Sequence, residues 1–240
     1  PDGKALQCGT SHNLGQGFAK VFNVKFKGKD EKDYYVWQTS WGFSTRLIGA
    51  MIMVHGDDKG LVIPPRIAEN KAVIVPILFE DSKSKVMAKA KGIGKKLEKF
   101  GVFVDDRDYS PGWKFNEWEM KGIPLRIEIG PKDIEKKQVI IVRRDNGKKE
   151  QVAESKIADR VEKILEEMQK DMFSNAQKFL KSRMDDAKNL KELENKLKGG
   201  KIVKVYMKND LKIEAELKNK TGAVSRIIEE TSKAGKCIIC

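Results

Sequence analysis

Gly112-Trp113-Lys114-Phe115-Asn116-Glu117-Trp118-Glu119-Met120-Lys121-Gly122-Ile123-Pro124-Leu125-Arg126-Ile127-Glu128-Ile129-Gly130-Pro131-Lys132-Asp133 is the stretch that decides the fold. Residues 112–121 read as a helix. Gly122 and Pro124 punctuate it, and residues 125–129 read as a strand. The same alternation extends outward on both sides. Residues 72–79 are a short continuous apolar run, the mark of a strand buried on both faces. Residues 84–100 place Val86, Ala90, Ile93, Leu97 and Phe100 at helical spacing. Residues 102–104 predict another strand, followed by Asp105-Asp106-Arg107-Asp108. Residues 139–143 predict one more, with Asn146-Gly147 as a turn signal. Together they predict an α/β domain with a mixed sheet over residues 66–153.

Two different regions flank it. Residues 1–65 alternate short apolar segments with Gly-rich turns. Within them, 18–26 and 34–38 read as strands. Residues 44–55 read as a buried helix carrying Leu47, Ile48, Met51, Ile52 and Val54. Pro64-Pro65 marks a boundary, because proline stops helices and removes a ladder donor. Residues 1–6 read as the middle of a longer segment. On the other side, residues 155–197 read as one long helix, with Ser155 as its N-cap and Gly199-Gly200 as its stop. Its methionines are expected in the core rather than in a cofactor stripe. Strands at 202–206 and 213–215 would complete a small α/β unit over 154–240.

The chain has 240 residues, 40% hydrophobic and 35% charged, with a net charge of +13. That is the composition of a soluble globular protein of one to three domains. The positive charge suits a polyanionic partner, and it equally suits a merely solvated basic surface. No apolar run approaches the roughly 20 residues that span a bilayer, and no signal peptide opens the chain. Three cysteines are too few for a disulfide framework. A cytoplasmic protein with no membrane partner is expected.

Two runs carry the chemistry of a small-ligand pocket: Gln7-Cys8-Gly9-Thr10-Ser11-His12 and Gln38-Thr39-Ser40-Trp41-Gly42-Phe43-Ser44-Thr45-Arg46. Hydroxyls, glycines, a histidine and an arginine suit a polar ligand and a phosphate. Arg46 offers a permanently charged planar fork to phosphate oxygens. No Ser/His/Asp or Cys/His constellation argues for covalent catalysis. These runs, with Met53-Val54-His55-Gly56-Asp57 and Gly60-Leu61-Val62-Ile63-Pro64-Pro65, resemble prolyl-tRNA synthetase of the archaeal and eukaryotic type. The resemblance implies that residues 1–65 are the motif 3 part of a class II catalytic domain built on an antiparallel sheet. It implies ATP, with Mg2+, at Gln7, Thr10 and Arg46, and proline at His12, Trp41, Gly42 and Ser44. Motifs 1 and 2 of that family would lie upstream. The chain is therefore expected to be inactive alone, and homodimeric within the full-length enzyme.

The quoted stretch 112–133 resembles the anticodon-binding domain of the same class, with a mixed five-stranded sheet. An aromatic can stack on an unpaired base, and carboxylate, guanidinium and ammonium groups can read base edges. By position in the motif, Phe115 would stack on an anticodon base. Glu119, Arg126 and Lys132 would read the two guanines shared by proline anticodons. The partner implied is tRNA(Pro), together with proline and ATP. The alternative is a synthetase-derived tRNA-binding module without catalytic activity. Finally, Cys237-Ile238-Ile239-Cys240 has zinc-ligand spacing but supplies only half of a tetrahedral set. In the family a second cysteine pair completes such a site. Here Tyr206-Met207-Lys208-Asn209-Asp210 stands at the corresponding place, so a full zinc site is not expected.

Overall fold

Up to Pro64-Pro65 the chain makes thin, open structure, and beyond it a layered domain. The computed structural model describes residues 6–228 and 235–240, so nearly all of segment 1–6 lies outside the described residues. The described residues up to Met172 form one compact unit and those from Phe173 onward another.

The thin part begins with β1 (Gly9–Gly15) and α1 (Gly17–Val21). Strands β2 (Lys25–Lys27), β3 (Asp33–Tyr35) and β4 (Gln38–Phe43) follow, then helix α2 (Arg46–His55). Strands β1 and β4 form one antiparallel pair, and β2 and β3 another. The strand expected at 18–26 is instead helix α1 and strand β2. Phe18 and Phe22, four residues apart, stack at 6.3 Å on one helical face. Asn23 then turns the chain at φ 53°. The strand expected at 34–38 is likewise divided between β3 and β4. Helix α2 forms where the spacing predicts it, but none of its residues is buried. Ile48 and Val54 are more than half exposed. Periodicity identifies an apolar face and is silent about what covers it.

Five strands build the layered domain: β5 (Ala72–Pro76), β6 (Val102–Val104), β7 (Leu125–Ile129), β8 (Gln138–Arg143) and β9 (Lys149–Ala153). Their order is β6-β5-β7-β8-β9. Strands β6, β5 and β7 run parallel, and β8 and β9 are antiparallel additions. The mixed five-stranded sheet is thus the one expected. Every residue of β5 is buried, because helices cover both faces. Ala72 and Ile74 face a core shared with Val86, Ala90 and Ile93 of α3 (Lys83–Lys96). Val73 and Val75 point the other way, to Phe115 and Trp118 of α4 (Pro111–Met120). Short α5 (Pro131–Glu135) follows β7.

The long α6 (Ile157–Arg183) buries Ile157, Val161, Ile164, Leu165, Met168 and Met172. The spacing of three to four keeps them on one stripe, and each fully buried side chain contributes about 1.5–3 kcal/mol. Met168 and Met172 pack on Val62, so these methionines are core as expected. Ser155 sits in a 3-10 turn, Glu154–Lys156, ahead of α6 and is not its cap.

The single helix expected over 155–197 is interrupted. After α6 come β10 (Met184–Asp186), α7 (Leu190–Lys198), β11 (Ile202–Lys204) and α8 (Leu211–Thr221). Asn189 restarts the helix, its side chain accepting a bond from the Glu192 N–H at 2.9 Å. Strand β10 pairs in parallel with β11, which competes with helix for residues 184–186. The strand expected at 213–215 lies inside α8, which Asp210 caps by accepting from the Lys212 N–H. Ala187, Leu193 and Leu217 form the buried centre of this unit. Among the described residues no helix is long and apolar enough to cross a membrane.

Candidate functional site

Helix α4 starts cleanly because Ser110 accepts from the Trp113 N–H and Pro111 occupies the first turn. Phe115 and Glu119 lie one turn apart on it. Phe115 packs toward Val73, Val75 and Ile123. Its ring carries the Arg126 guanidinium 4.2 Å from the centroid, a cation–π contact. Arg126 also donates from Nε and Nη2 to Glu128 Oε1 at 3.0 and 2.9 Å. Arg126 therefore already engages part of the Phe115 ring. Glu119 and Arg126 line one shallow pocket with Trp118, Ile123 and Val142. Lys132 is exposed on α5 and does not line that pocket.

Two ionic anchors hold this arrangement, and neither was assigned a role from the sequence. The first is Asp105, fully buried at the end of β6. Its carboxylate accepts from Arg107 Nε and Nη2 and from Trp118 Nε1 at 2.8–2.9 Å. Its carbonyl accepts from Nζ of buried Lys114 at 3.0 Å. Burial pushes the carboxyl pKa up, but the hydrogen bonds from Arg107 and Trp118 outweigh it and lower it to about 2. The second anchor is Arg144, which grips Asp57 through two bonds of 2.7 and 2.6 Å and donates from Nε to the Glu119 carbonyl. Those Arg144 bonds lower Asp57 to about 2, against a smaller opposing effect of burial. Lys59 Nζ reaches Glu119 Oε1 at 3.1 Å.

Both aspartates have folded pKa values below the unfolded value of about 3.9. Their stabilisation is therefore complete above that value and is lost as pH falls toward 2. Urea midpoints measured from pH 5 to pH 2 should fall. Asp57→Asn and Asp105→Asn should each flatten that fall; an unchanged profile in both would sink the assignment.

The two ligand-type runs meet as a ribbon. Strands β1 and β4 pair with Gly9 opposite Phe43, Thr10 opposite Gly42, Ser11 opposite Trp41 and His12 opposite Ser40. Directly opposed residues share a face, and the face alternates along the strand. Thr10, His12, Ser40 and Gly42 thus line one face, with open space above Gly42. Trp41 stands on the other face, with Ser11 and Phe43. Arg46 Nη1 donates to the Gln7 carbonyl at 3.0 Å, so Gln7, Thr10 and Arg46 gather at one end. The Ser44 hydroxyl accepts from the Arg46 N–H at 3.3 Å and helps start α2.

At the chain's other end, Cys237 Sγ accepts from the Cys240 N–H at 3.4 Å. Hydrogen bonding from the Cys240 thiol, with backbone donors, lowers the Cys237 pKa to about 6 and raises that of Cys240. The pair supplies two sulfur ligands. Among the described residues no group of three His, Cys, Asp or Glu could hold a metal ion.

Residues 71–164 match the family model described as an anticodon binding domain. Over its whole length the chain is 47% identical to a proline–tRNA ligase of Natranaerobius thermophilus, covering 50% of that protein. It is 49% identical to one of Lachnoclostridium phytofermentans, covering 50%, and 43% identical to one of Cenarchaeum symbiosum, covering 51%, again over the whole chain. The chain spans about half the length of the curated relatives it matches.

Proposed function

We propose that the chain, 47–49% identical over its whole length to proline–tRNA ligases and matching an anticodon binding domain over residues 71–164, serves in joining proline to tRNA(Pro), chiefly by reading the anticodon. The convergence of Glu119 and Arg126 on one pocket carries this reading. A carboxylate accepts from N1–H and N2–H of one anticodon guanine, and a guanidinium donates to O6 and N7 of the other. Trp118 edges the pocket, with buried Ile123 and Val142 behind it, and an aromatic ring is the kind of group on which an unpaired base stacks. Lys132, outside that pocket, would join in reading the second guanine, and other exposed lysines would contact phosphates, adding salt-dependent affinity without sequence information.

The division proposed is 1–65 for part of the catalytic domain, 66–153 for the anticodon domain and 154–240 for the helix and small C-terminal unit. The ribbon would form one wall of the activation site. There Gln7, Thr10 and Arg46 would hold ATP. Bound Mg2+ would supply charge neutralisation on its phosphates. His12 and Gly42, on the Thr10 face, would contact proline. Ser44, just after β4, would complete the proline site, and Trp41 would support it from the opposite face of the ribbon. In the reaction served, the proline carboxylate attacks the α-phosphate of ATP and pyrophosphate leaves. The prolyl group then passes from AMP to the 3′ end of tRNA. The full-length enzyme would be a homodimer in the cytoplasm.

The test is binding of the 240-residue chain to tRNA(Pro) and to the same tRNA with its anticodon guanines replaced. Glu119→Gln and Arg126→Met should each weaken binding to the natural tRNA about 10- to 100-fold and erode the preference for guanine. Equal binding of both tRNAs by the parent chain across a salt series would overturn the proposal.

A further inference from the structure

Arg126 lines the pocket, but its Nε and Nη2 already donate to Glu128 Oε1. The cation that meets the Glu119 carboxylate is a different one. Lys59 lies 60 residues earlier, outside the anticodon domain, with Nζ 3.1 Å from Glu119 Oε1. Its side chain is 67% exposed and that of Glu119 is 29% exposed, so both are within reach of a ligand.

This pairing is built rather than incidental. Asp57 and Gly60 close a tight turn through two backbone bonds of 3.1 and 3.0 Å. The Asp57 carboxylate accepts from the Lys59 N–H at 2.9 Å inside that turn. Buried Arg144 holds the same carboxylate with two bonds and holds the Glu119 carbonyl with a third. One arginine therefore fixes the backbone at both members of the pair. The connector is docked further by bonds from the Leu61 N–H to the Met120 carbonyl and from the Ile63 N–H to the Gly122 carbonyl.

Guanine presents acceptor O6, donor N1–H and donor N2–H in a row along its Watson–Crick edge. A carboxylate beside an ammonium presents the complementary row. We infer that Lys59 is a specificity-determining residue, donating to O6 of the guanine whose N1–H and N2–H are accepted by Glu119. Adenine reverses both points: its N6 amino group would face the ammonium, and its N1 lone pair the carboxylate. The pair thus attracts guanine and rejects adenine by the same geometry. Between binding events Lys59 rests on Glu119 and neutralises it. The inference rests on the reading of Glu119 as a guanine-reading group.

The experiment uses the full chain and an RNA hairpin carrying the anticodon loop of tRNA(Pro). Each anticodon guanine is replaced in turn by adenine or by inosine, which keeps O6 and N1–H but lacks the N2 amino group. Lys59→Met should weaken binding of the guanine hairpin about tenfold, the loss of one hydrogen bond to a charged group. It should leave the adenine hairpin nearly unchanged, so the guanine-to-adenine ratio falls. The guanine-to-inosine ratio should stay as in the parent, and Lys59→Arg should restore most of the guanine preference. Equal loss on all hairpins would mean a phosphate contact and would overturn the inference, as would no loss on any. If Glu119→Gln abolishes the guanine preference while Lys59→Met keeps it, only the role of Lys59 fails. If Glu119→Gln also keeps it, the reading of Glu119 itself fails.

Discussion

Asp105→Ala is expected to destabilise the unit up to Met172 by about 3–5 kcal/mol, the cost of breaking a buried ion pair from one side. Lys114 is only 1% exposed, and its ammonium sits 3.9 Å from the Asp105 carboxylate. Without that charge it keeps the Asp105 carbonyl as its acceptor and loses its counter-ion. The Trp118 indole N–H loses its acceptor as well. Arg107 can turn to Glu117, which it already contacts, so its share of the loss is smaller. Asp105→Asn should cost less than alanine because an amide oxygen still accepts. The check is urea unfolding at neutral pH, monitored by tryptophan fluorescence. An alanine variant with the parent's midpoint would show that the buried network contributes nothing. The same variant should lose guanine preference, because Lys114 and Trp118 hold α4, and α4 carries Glu119.

Gly122→Ala should destabilise the same unit by about 3 kcal/mol, through two additive effects. Gly122 has φ +74°, which costs a residue with a side chain about 1–2 kcal/mol. An added Cβ would also stand 2.5 Å from the Leu61 carbonyl oxygen. The obstacle is backbone, so it cannot rotate away, and the connector must shift. Gly147→Ala is the control. Its φ is +69°, and nothing lies within 4 Å of its added Cβ. It should cost only the conformational part, about 1–2 kcal/mol. Equal losses in the two variants would mean that the close approach of residues 61 and 122 is not tight. Since that approach places Lys59 beside Glu119, Gly122→Ala should also reduce discrimination between guanine and adenine hairpins.

Legibility in the sequence follows the range of the interactions involved. The five-stranded sheet and its helices are readable because Val86, Ala90 and Ile93, or the unbroken run of β5, report local geometry through their spacing. Helix α1 was misread as a strand because its stacked aromatics and the turn at Asn23 give a short, ambiguous apolar pattern. The interruption after Arg183 was missed because residues 184–186 are claimed by pairing with β11, a partner that helical spacing cannot register. At the candidate site, Glu119 and Arg126 were legible by motif. Lys59, Asp57 and Arg144 were not, because each is unremarkable until its partner is known.

The sequence by itself carried the resemblance to a synthetase family, the α/β alternation, the two ligand-type runs and the motif carrying Glu119 and Arg126. These are properties of neighbouring residues, set by spacing and residue type. Only the tertiary structure decided that the runs pair as a ribbon with Trp41 on the face opposite Thr10 and His12. It alone decided that Phe115 lies under Arg126, and that Lys59 meets Glu119 across 60 residues through a clamp joining Asp57 to Arg144 across 87. The physical reason is that an ion pair or a strand register depends on which distant groups are brought within about 3 Å, where a hydrogen bond forms.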